Sequence, residues 1–329
     1  MIRKKFGRTD LNVSRLTFGC GAVGGLMTKG SAADQDRAVA WARDSGINFF
    51  DTAPSYGNTA SETNLGRALG ANRDGIVVST KVGIANADHG DIAGAIRTSL
   101  EASLSRLRQD CVDIFQLHNT LDVPDDRGNL TSGQVLDEIV PAFTKLRDEG
   151  KTRYLGFTAK GDTDALHKLI ESECFDSAQI FYNLLVPSAG EPIPAGYPAQ
   201  DYRQLLNTAA QHGVGSIGVR VLAGGTLSGS ASRHPLGIQN VAPIGSGQDY
   251  AADVGLAVRF KPLVAAGHAA SLPELAVRYV ISNPALSTTE IGIATIEELQ
   301  QAADAVNKGP LSEAALAQIS EIQAGFSET

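Results

Sequence analysis

Positions 46–57 carry the sequence Gly46-Ile47-Asn48-Phe49-Phe50-Asp51-Thr52-Ala53-Pro54-Ser55-Tyr56-Gly57. The run from Ile47 to Phe50 is mostly apolar, Asp51 ends it, and Tyr56 follows after a turn at a proline. A buried strand that stops in polar, turn-forming residues commonly presents functional side chains at the rim of a sheet. This stretch therefore predicts a strand that delivers an acid and a tyrosine to a functional site.

Two later stretches end in the same way. The first is Gly75-Ile76-Val77-Val78-Ser79-Thr80-Lys81, and the second is Val112-Asp113-Ile114-Phe115-Gln116-Leu117-His118. In a barrel of parallel strands the functional groups gather at the carboxyl ends of the strands. We therefore expect Lys81 and His118 to converge with the acid and the tyrosine in one active site.

Strands and helices alternate along the whole chain. Eight such pairs, with no linker or break in composition, predict one (β/α)₈ TIM barrel domain over residues 1–329 rather than a doubly wound sheet. A hairpin at 2–6 and 12–14 is expected before the barrel, and an amphipathic helix at 311–324 after it. The predicted strands are 15–19, 47–51, 76–80, 112–117, 153–158, 177–182, 214–219 and 288–293. The predicted helices are 34–45, 61–69, 91–108, 133–148, 162–172, 200–211, 250–266, 273–282 and 296–305.

Composition and charge exclude several classes of partner. The formal net charge is −8, and no cluster of Lys and Arg offsets it, which argues against a nucleic-acid partner. No apolar run approaches the length of a membrane span or a signal peptide, so no membrane partner is expected. Three widely spaced cysteines, Cys20, Cys111 and Cys174, are typical of reduced thiols in a cytoplasmic protein. These features predict a soluble, cytoplasmic protein, and they leave its oligomeric state open.

The four titratable residue types suit one chemical task. A tyrosine has an ordinary pKa of about 10, and a neighbouring ammonium lowers that pKa because it favours the phenolate. A carboxylate keeps the ammonium charged and oriented, and a histidine can orient the oxygen of a substrate. Each of Asp51, Tyr56, Lys81 and His118 also has an ordinary structural explanation when taken alone. At three successive strand ends, they together indicate a centre that polarises a carbonyl and moves one proton.

Several stretches in the same order resemble the signatures of the aldo-keto reductase family. They are the segments 49–57, 80–81 and 116–118, together with 11–14, Gly19 and 150–156. The resemblance covers nearly the whole chain. It implies a (β/α)₈ barrel that binds NAD(P)(H) in an extended form. It also implies that the family tetrad corresponds to Asp51, Tyr56, Lys81 and His118, with the tyrosine as general acid/base.

The resemblance also implies a set of cofactor contacts after the later strands. Thr158 and Gln179 correspond to residues that bind the nicotinamide carboxamide, although Ala159 replaces an expected amide side chain. The segment 218–229 resembles the diphosphate loop, and the poorly patterned residues 224–249 are expected to cover the cofactor rather than form a floppy insertion. The contacts implied for this loop are Val219, where many members place an aromatic side chain, Arg220, Leu222, Gly225 and Leu227.

The adenosine end of the cofactor would lie against residues 292–301. Its implied contacts are Ile293, Ala294, Thr295, Glu298 and Gln301. Members that prefer NADPH place Arg or Lys here to pair with the 2′-phosphate, and this chain has neither between Glu290 and Gln301. Glu297 and Glu298 would repel a phosphate dianion, whereas a carboxylate can accept a hydrogen bond from a ribose hydroxyl. We therefore expect NAD(H) to be favoured over NADP(H).

Three other patterns are not taken as signatures of a different kind of site. The sequence Gly19-Cys20-Gly21-Ala22-Val23-Gly24 matches G-x-G-x-x-G, but no helix is expected to open directly after it, so we predict a loop at the barrel rim. The six histidines lack metal-ligand spacing, and no metal site is expected. The acids between Asp122 and Asp126 are expected to be solvated.

These patterns predict an oxidoreductase that interconverts an alcohol or sugar hydroxyl and a carbonyl of a small molecule. Two alternatives stay open. A barrel lyase could use Lys81 to form a Schiff base with its substrate. A regulatory subunit on the same fold could bind the cofactor and turn over slowly.

Overall fold

A computed structural model of the chain describes residues 1–123 and 130–327. Its centre is a closed barrel of eight parallel strands, so the expected (β/α)₈ architecture is confirmed. An antiparallel hairpin, β1 (Arg3–Lys5) and β2 (Asn12–Ser14), precedes the barrel. The barrel strands in chain order are β3 (Leu16–Gly19), β4 (Phe49–Asp51), β5 (Val77–Val82), β6 (Val112–Leu117), β7 (Thr152–Thr158), β8 (Ser177–Phe181), β9 (Gly215–Val219) and β10 (Thr288–Gly292).

Helices surround the barrel and pack their apolar faces on its outer surface. A π-helical turn, Val135–Ile139, continues the helix that ends at Asp148. The helices are α1 (Leu26–Lys29), α2 (Ala32–Asp44), α3 (Ala60–Leu69), α4 (Ile92–Leu107), α5 (Ser132–Gln134), α6 (Val140–Asp148), α7 (Thr163–Glu171), α8 (Leu205–Gln211), α9 (Tyr250–Val258), α10 (Lys261–Ala265), α11 (Leu272–Ser282), α12 (Ile296–Asn307) and α13 (Glu313–Ala324).

The hairpin β1–β2 closes the amino-terminal end of the barrel. The side chains that form this floor are fully or nearly buried and apolar: Phe6, Leu11, Val13, Phe49, Val77, Ile114 and Ile217. Phe6 meets Phe49 edge-to-face, with ring centroids 5.9 Å apart. Gly215 makes this packing possible, because a Cβ there would lie 2.5 Å from the Phe6 ring. Burial of these rings and branched side chains stabilises the lower half of the barrel.

The upper half of the barrel interior is polar. Side chains alternate along a strand, so the residues two positions above the floor side chains also face inward. Asp51 lies above Phe49 on β4, Lys81 above Ser79 on β5, and Gln116 above Ile114 on β6. The register pairs Asp51 with Ser79 and Lys81 with Gln116. Asp51 and Ser79 therefore lie in one layer, and Lys81 and Gln116 lie in the next layer toward the carboxyl ends.

The structure differs from the sequence-based expectations at three helices. The expected helix 200–211 is only α8, because Arg203 and Gln204 have φ angles of 47° and 60°, outside the α-helical region. The expected helix 250–266 is divided into α9 and α10, with Pro262 in the first turn of α10. A short helix, α1, follows the glycine-rich loop, where we expected only loop.

Within the described ranges, no helix combines the length and apolar character required to cross a membrane. Cys20, Cys111 and Cys174 are free thiols. Of the acids that we expected to be solvated, Asp125 and Asp126 lie outside the described residues.

Candidate active site

A buried ion pair lies at the centre of the barrel mouth. The ammonium of Lys81 contacts the carboxylate of Asp51, and both side chains are 0 % exposed. Lys81 Nζ also donates to the Thr52 carbonyl at 2.8 Å. Burial lowers the pKa of the Lys81 ammonium, but Asp51, Tyr56 and Glu290 together outweigh this effect, and the net pKa lies above the ordinary value. Lys81 is therefore a fixed cation rather than a free amine.

Tyr56 lies beside this ion pair on the loop between β4 and α3. Lys81 Nζ is 4.8 Å from the centroid of the Tyr56 ring. The loop turns back sharply after the tyrosine, and Gly57 has a φ of 61° there. A Cβ at Gly57 would lie 2.8 Å from Thr28, so this turn requires glycine on both counts. The turn fixes the direction in which Tyr56 leaves the backbone.

Two opposing effects set the acidity of Tyr56. Burial is the larger and raises the pKa, while the Lys81 ammonium lowers it. The result is a pKa of about 12. Lys81 acts in the direction that we expected from the sequence, but the net shift is upward because desolvation dominates. Tyr56 is therefore a neutral phenol over the physiological pH range.

His118 lies on the other side of the tyrosine, directly after β6. The two rings meet edge-to-face, with centroids 5.9 Å apart and an interplanar angle of 84°. The His118 amide donates to the Val82 carbonyl at 2.8 Å, which ties the end of β6 to the end of β5. The four residues singled out in the sequence thus lie around one volume at the barrel mouth.

Two further side chains support Asp51 and were not singled out as site residues. Gln116 Nε2 donates to Asp51 Oδ1 at 3.1 Å, and the Ser79 hydroxyl donates to the same oxygen. Both are fully buried and face inward on β6 and β5. Every second side chain of a barrel strand faces inward, and this alternation could have identified both residues in the sequence. Their donors orient the carboxylate and leave its other oxygen for Lys81.

A second carboxyl group in the mouth was also missed. Glu290 lies on β10 beside Gly19, where a Cβ would be 3.0 Å from Glu290 Oε1. Its other oxygen accepts from Gln179 Nε2 at 3.0 Å, and the Asp51 carboxyl is within hydrogen-bonding reach. In the sequence, a lone acid within a short strand that faces the barrel interior is the feature that could have identified it.

The predicted carboxamide contacts lie on the opposite wall. Thr158 ends β7, Gln179 is on β8, and the strand register pairs them. The Thr158 hydroxyl donates to Gln179 Oε1 at 3.2 Å, and both side chains are almost fully buried. Because Gln179 also donates to Glu290, these side chains form one hydrogen-bonded row that ends near Asp51.

The predicted diphosphate loop follows β9. Gly224 and Gly225 have φ angles of 70° and 111°, which allow the backbone to form a tight turn after the strand. Arg220 Nη1 is buried and has no hydrogen-bond partner in the described part of the chain. A Cβ at Gly224 would lie 2.9 Å from that nitrogen, so the guanidinium lies against the glycine turn. A buried guanidinium nitrogen without a partner, beside open backbone, suits an anionic ligand such as a diphosphate.

The other predicted contacts in this loop differ in accessibility. Val219 and Leu222 are partly buried, and Val219 packs on the floor of the barrel from above. Leu227 is 0 % exposed, so neither its side chain nor its backbone is accessible at the surface.

The predicted adenosine contacts lie at the start of α12. Ile293 and Ala294 are buried, and Thr295 caps the helix by accepting from the Glu298 amide. Glu298 Oε2 in turn accepts from the Ala294 amide at 2.7 Å, so this carboxylate is engaged with the backbone. Glu297 is exposed, and hydrogen bonds from the backbone and Thr295 lower its pKa. Gln301 is exposed one turn further along α12.

The segment after the diphosphate loop lies against the loop that follows β3. Arg233 donates to the Gly224 carbonyl and, at 3.2 Å, to the Val23 carbonyl. The Ile238 amide donates to the Ala22 carbonyl at 3.1 Å. Residues 233–238 therefore connect the end of β9 with the rim above β3, beside the predicted cofactor contacts.

Among the residues that the structure describes, no cluster of three or more His, Cys, Asp or Glu side chains is arranged to hold a metal ion.

Comparison with known proteins gives relatives that are mostly oxidoreductases. L-galactose dehydrogenase of Arabidopsis thaliana is 40 % identical over 161 residues, which is 47 % of this chain and 47 % of that protein. The NADH-specific methylglyoxal reductase of Escherichia coli is 31 % identical over 201 residues, 54 % of this chain and 58 % of that protein. The chain thus aligns with about half the length of each of these two relatives.

A further relative aligns over almost the whole chain. The putative voltage-gated potassium channel subunit beta of Schizosaccharomyces pombe is 30 % identical over 327 residues, 91 % of this chain and 86 % of that protein. Among solved structures, the holo form of aldo-keto reductase AKR11C1 from Bacillus halodurans has the same fold. Its TM-score is 0.73 at 23 % identity, with 98 % of this chain and 96 % of that chain covered.

The sequence model of the aldo/keto reductase family matches residues 15–324. This range includes every strand of the barrel and the four residues Asp51, Tyr56, Lys81 and His118. Members of this family are oxidoreductases that use NAD(P)(H) and act on small-molecule carbonyl substrates. The chain belongs to the aldo/keto reductase family.

Proposed function

We propose that the protein is an NAD(H)-dependent oxidoreductase that interconverts an alcohol or sugar hydroxyl and a carbonyl, with Tyr56 as general acid/base. The observation that carries this proposal is the position of the Tyr56 ring, 4.8 Å from an ammonium that is itself paired with Asp51. A phenol next to a fixed cation can give up its proton, because the cation stabilises the phenolate that remains. The His118 ring meets the Tyr56 ring edge-to-face.

Each side chain has one task in this mechanism. During reduction, Tyr56 donates its hydroxyl proton to the carbonyl oxygen as that oxygen gains negative charge. Lys81 stabilises the resulting phenolate, and Asp51 keeps Lys81 charged and oriented. His118 orients the substrate oxygen toward the tyrosine. During oxidation the phenolate of Tyr56 takes the hydroxyl proton instead, and the same cation stabilises the starting state.

The cofactor would be held along one side of the mouth. Thr158 and Gln179 would bind the carboxamide, while Arg220 and the turn at Gly225 would bind the diphosphate. When bound, the nicotinamide supplies or accepts the hydride. The remaining contacts in this proposal are Val219, Leu222, Leu227, Ile293, Ala294, Thr295, Glu298 and Gln301.

The preference for NAD(H) is supported by charge at the start of α12. No Arg or Lys occurs between Glu290 and Gln301, and the exposed Glu297 would repel a 2′-phosphate. Arg37 lies outside this segment and also lowers the pKa of Glu297. Its guanidinium is already paired with Asp34 at 2.9 Å. An NADH-specific relative is consistent with this direction.

The substrate class in this proposal is an aldose or another polyhydroxylated alcohol. Support comes from the 40 % identity with an L-galactose dehydrogenase over half of the chain. An NAD(H) preference also favours oxidation, because NAD is kept largely oxidised in most cells.

One alternative is disfavoured by the geometry and another is retained. A Schiff base requires a free amine, but Lys81 is buried in an ion pair that raises its pKa. A cofactor-binding regulatory subunit is favoured by the channel-subunit relative that aligns over 91 % of this chain.

A panel of aldoses, polyols and aldehydes tests the proposal. Formation or loss of reduced nicotinamide is measured with NAD(H) and NADP(H), in parallel with coenzyme binding followed by fluorescence. We expect turnover of at least one polyol or aldose with a higher kcat/KM for NAD(H). Tight coenzyme binding without turnover of any substrate would instead favour the regulatory subunit. A tenfold preference for NADPH would contradict the coenzyme assignment.

A further inference from the structure

Glu290 is a carboxyl group within the active site that the tetrad does not account for. It lies at the mouth of the barrel, with only part of its side chain accessible. Gly19 provides the space that it occupies, since a Cβ at that position would crowd Glu290 Oε1 at 3.0 Å. On one side it accepts from Gln179, and on the other it reaches Asp51. The site therefore contains two adjoining carboxyl groups and a single lysine.

We propose that Glu290 is a positioning residue of the catalytic centre, which retains a proton and donates it in a hydrogen bond to Asp51. The proposal deepens the function proposed above, because it concerns the group that orients the Asp51–Lys81 pair. Gln179 fixes the second oxygen of Glu290, so the carboxyl group is held from both sides. Thr158 extends this support to β7 through its hydrogen bond with Gln179.

The charges next to Glu290 favour this proton. Lys81 contributes one positive charge, and its ammonium is in direct contact with Asp51. If Glu290 were ionised, two adjoining carboxylates would share the one ammonium within the barrel mouth, which is costly. One shared proton removes the repulsion and converts it into a hydrogen bond. Glu290 is the member that keeps the proton, because Asp51 already receives the ammonium and the donors of Ser79 and Gln116.

The titratable groups around Glu290 support the same assignment. Asp51 on β4, Lys81 on β5, Tyr56 after β4 and Cys20 after β3 all interact electrostatically with it, and β8 presents the neutral amide of Gln179. Burial raises the pKa of Glu290 well above its ordinary value, and Asp51 raises it further. The attraction of Lys81 acts in the opposite direction but does not outweigh them.

Ionisation of Glu290 would affect the tyrosine. A negative charge on Glu290 raises the pKa of Tyr56, because it disfavours a second negative charge nearby. When Glu290 keeps its proton, Tyr56 therefore forms its phenolate at a lower energetic cost during turnover. Replacement by glutamine keeps the shape, a donor toward Asp51 and an acceptor toward Gln179, and it cannot ionise.

Infrared difference spectroscopy tests the proton directly and needs no substrate. At neutral pH we expect the C=O stretching band of a neutral carboxylic acid in the wild-type protein and its loss in Glu290→Gln. Glu274→Gln is the matched control. The carboxylate of Glu274 is paired with Arg278 and Lys308, and although burial raises its pKa, these cations lower the net pKa below its ordinary value. Its replacement should leave the acid band unchanged.

A kinetic measurement tests the effect on Tyr56. In the oxidising direction, we expect the pH profile of kcat/KM in Glu290→Gln to match that of the wild type, because a neutral amide replaces a neutral acid. A profile displaced to lower pH in Glu290→Gln would show that Glu290 is ionised in the wild type and would contradict the proposal. If the acid band is absent at neutral pH, or survives in Glu290→Gln, Glu290 does not hold the proton and the proposal is wrong. Because the spectrum does not depend on turnover, this result is separate from failure of the dehydrogenase assignment.

Discussion

Asp51 and Lys81 form an ion pair from which water is excluded, since both side chains are 0 % exposed. Asp51 also accepts from Gln116 and Ser79, and Lys81 donates to the Thr52 carbonyl. Breaking such a pair leaves one buried charge unpaired, which typically costs about 3–5 kcal/mol. Lys81 therefore contributes to the stability of the folded barrel as well as to the proposed catalysis.

Charge removal at this pair should be non-additive for stability. We expect Asp51→Asn and Lys81→Met each to lower the free energy of unfolding by about 3 kcal/mol, because each leaves the other charge buried. The double variant removes both charges, so we expect it to be less destabilised than the sum of the two. Denaturant unfolding measures all three. Additive losses would contradict the pair, and activity should be lost in every case.

The pH dependence of turnover should differ between the two directions. Burial, opposed by Lys81, raises the pKa of Tyr56 to about 12. Reduction requires the neutral phenol, so we expect kcat/KM for reduction to be flat through neutral pH and to fall only in strong alkali. Oxidation requires the phenolate, so kcat/KM for oxidation should rise about tenfold per pH unit through the same range. Stopped-flow rates in both directions measure these two pH profiles. A fall in kcat/KM for reduction near neutral pH would contradict the prediction.

The coenzyme preference should respond to one charge at the start of α12. Glu297→Arg replaces a repelling carboxylate by a guanidinium that can pair with a 2′-phosphate. We expect kcat/KM for NADPH relative to NADH to rise about tenfold, equivalent to about 1.4 kcal/mol.

Glu313→Arg makes the same change at an exposed site in the first turn of α13, and it controls for net charge. An equal response in both variants would show that the effect is not local to α12.

The floor of the barrel should matter for stability and not for the coenzyme. Phe6 is fully buried between Phe49 and Gly215. We expect Phe6→Ala to lower the free energy of unfolding by about 3 kcal/mol, because the cavity cannot be refilled by the short hairpin. NADH affinity of the folded variant should stay close to that of the wild type. Ile2→Ala, at a side chain that is 62 % exposed, should change neither quantity.

The barrel and the four central side chains could be predicted from local sequence features. Apolar runs that end in Asp51, Lys81 and His118 mark strand ends, and alternation with helices indicates parallel strands. Tyr56 could be placed because only five positions separate it from the end of β4. Such short-range relations are preserved when the chain folds.

The place of Glu290 in the polar row across the mouth could not be predicted in the same way. Glu290 meets Gln179 and Asp51 only because the barrel closes between β10 and β3, and sequence separation hides that contact. The sign of the Tyr56 pKa shift also depends on how much water the closed mouth excludes. The short helix α1 and the break before α8 depend on left-handed residues, Gly25 and Gln204, whose conformations local patterns did not indicate.

The most direct test of the central claim compares two hydroxyl deletions. Tyr56→Phe removes the proposed proton donor, and Tyr154→Phe removes a hydroxyl at the opposite end of the barrel, where it donates to Asp10. Single-turnover rates are measured with saturating NADH and an aldehyde that the wild type reduces. We predict a loss of at least about a hundredfold in Tyr56→Phe, with NADH affinity retained, and a rate near wild type in Tyr154→Phe. Full activity in Tyr56→Phe would contradict the proposed mechanism.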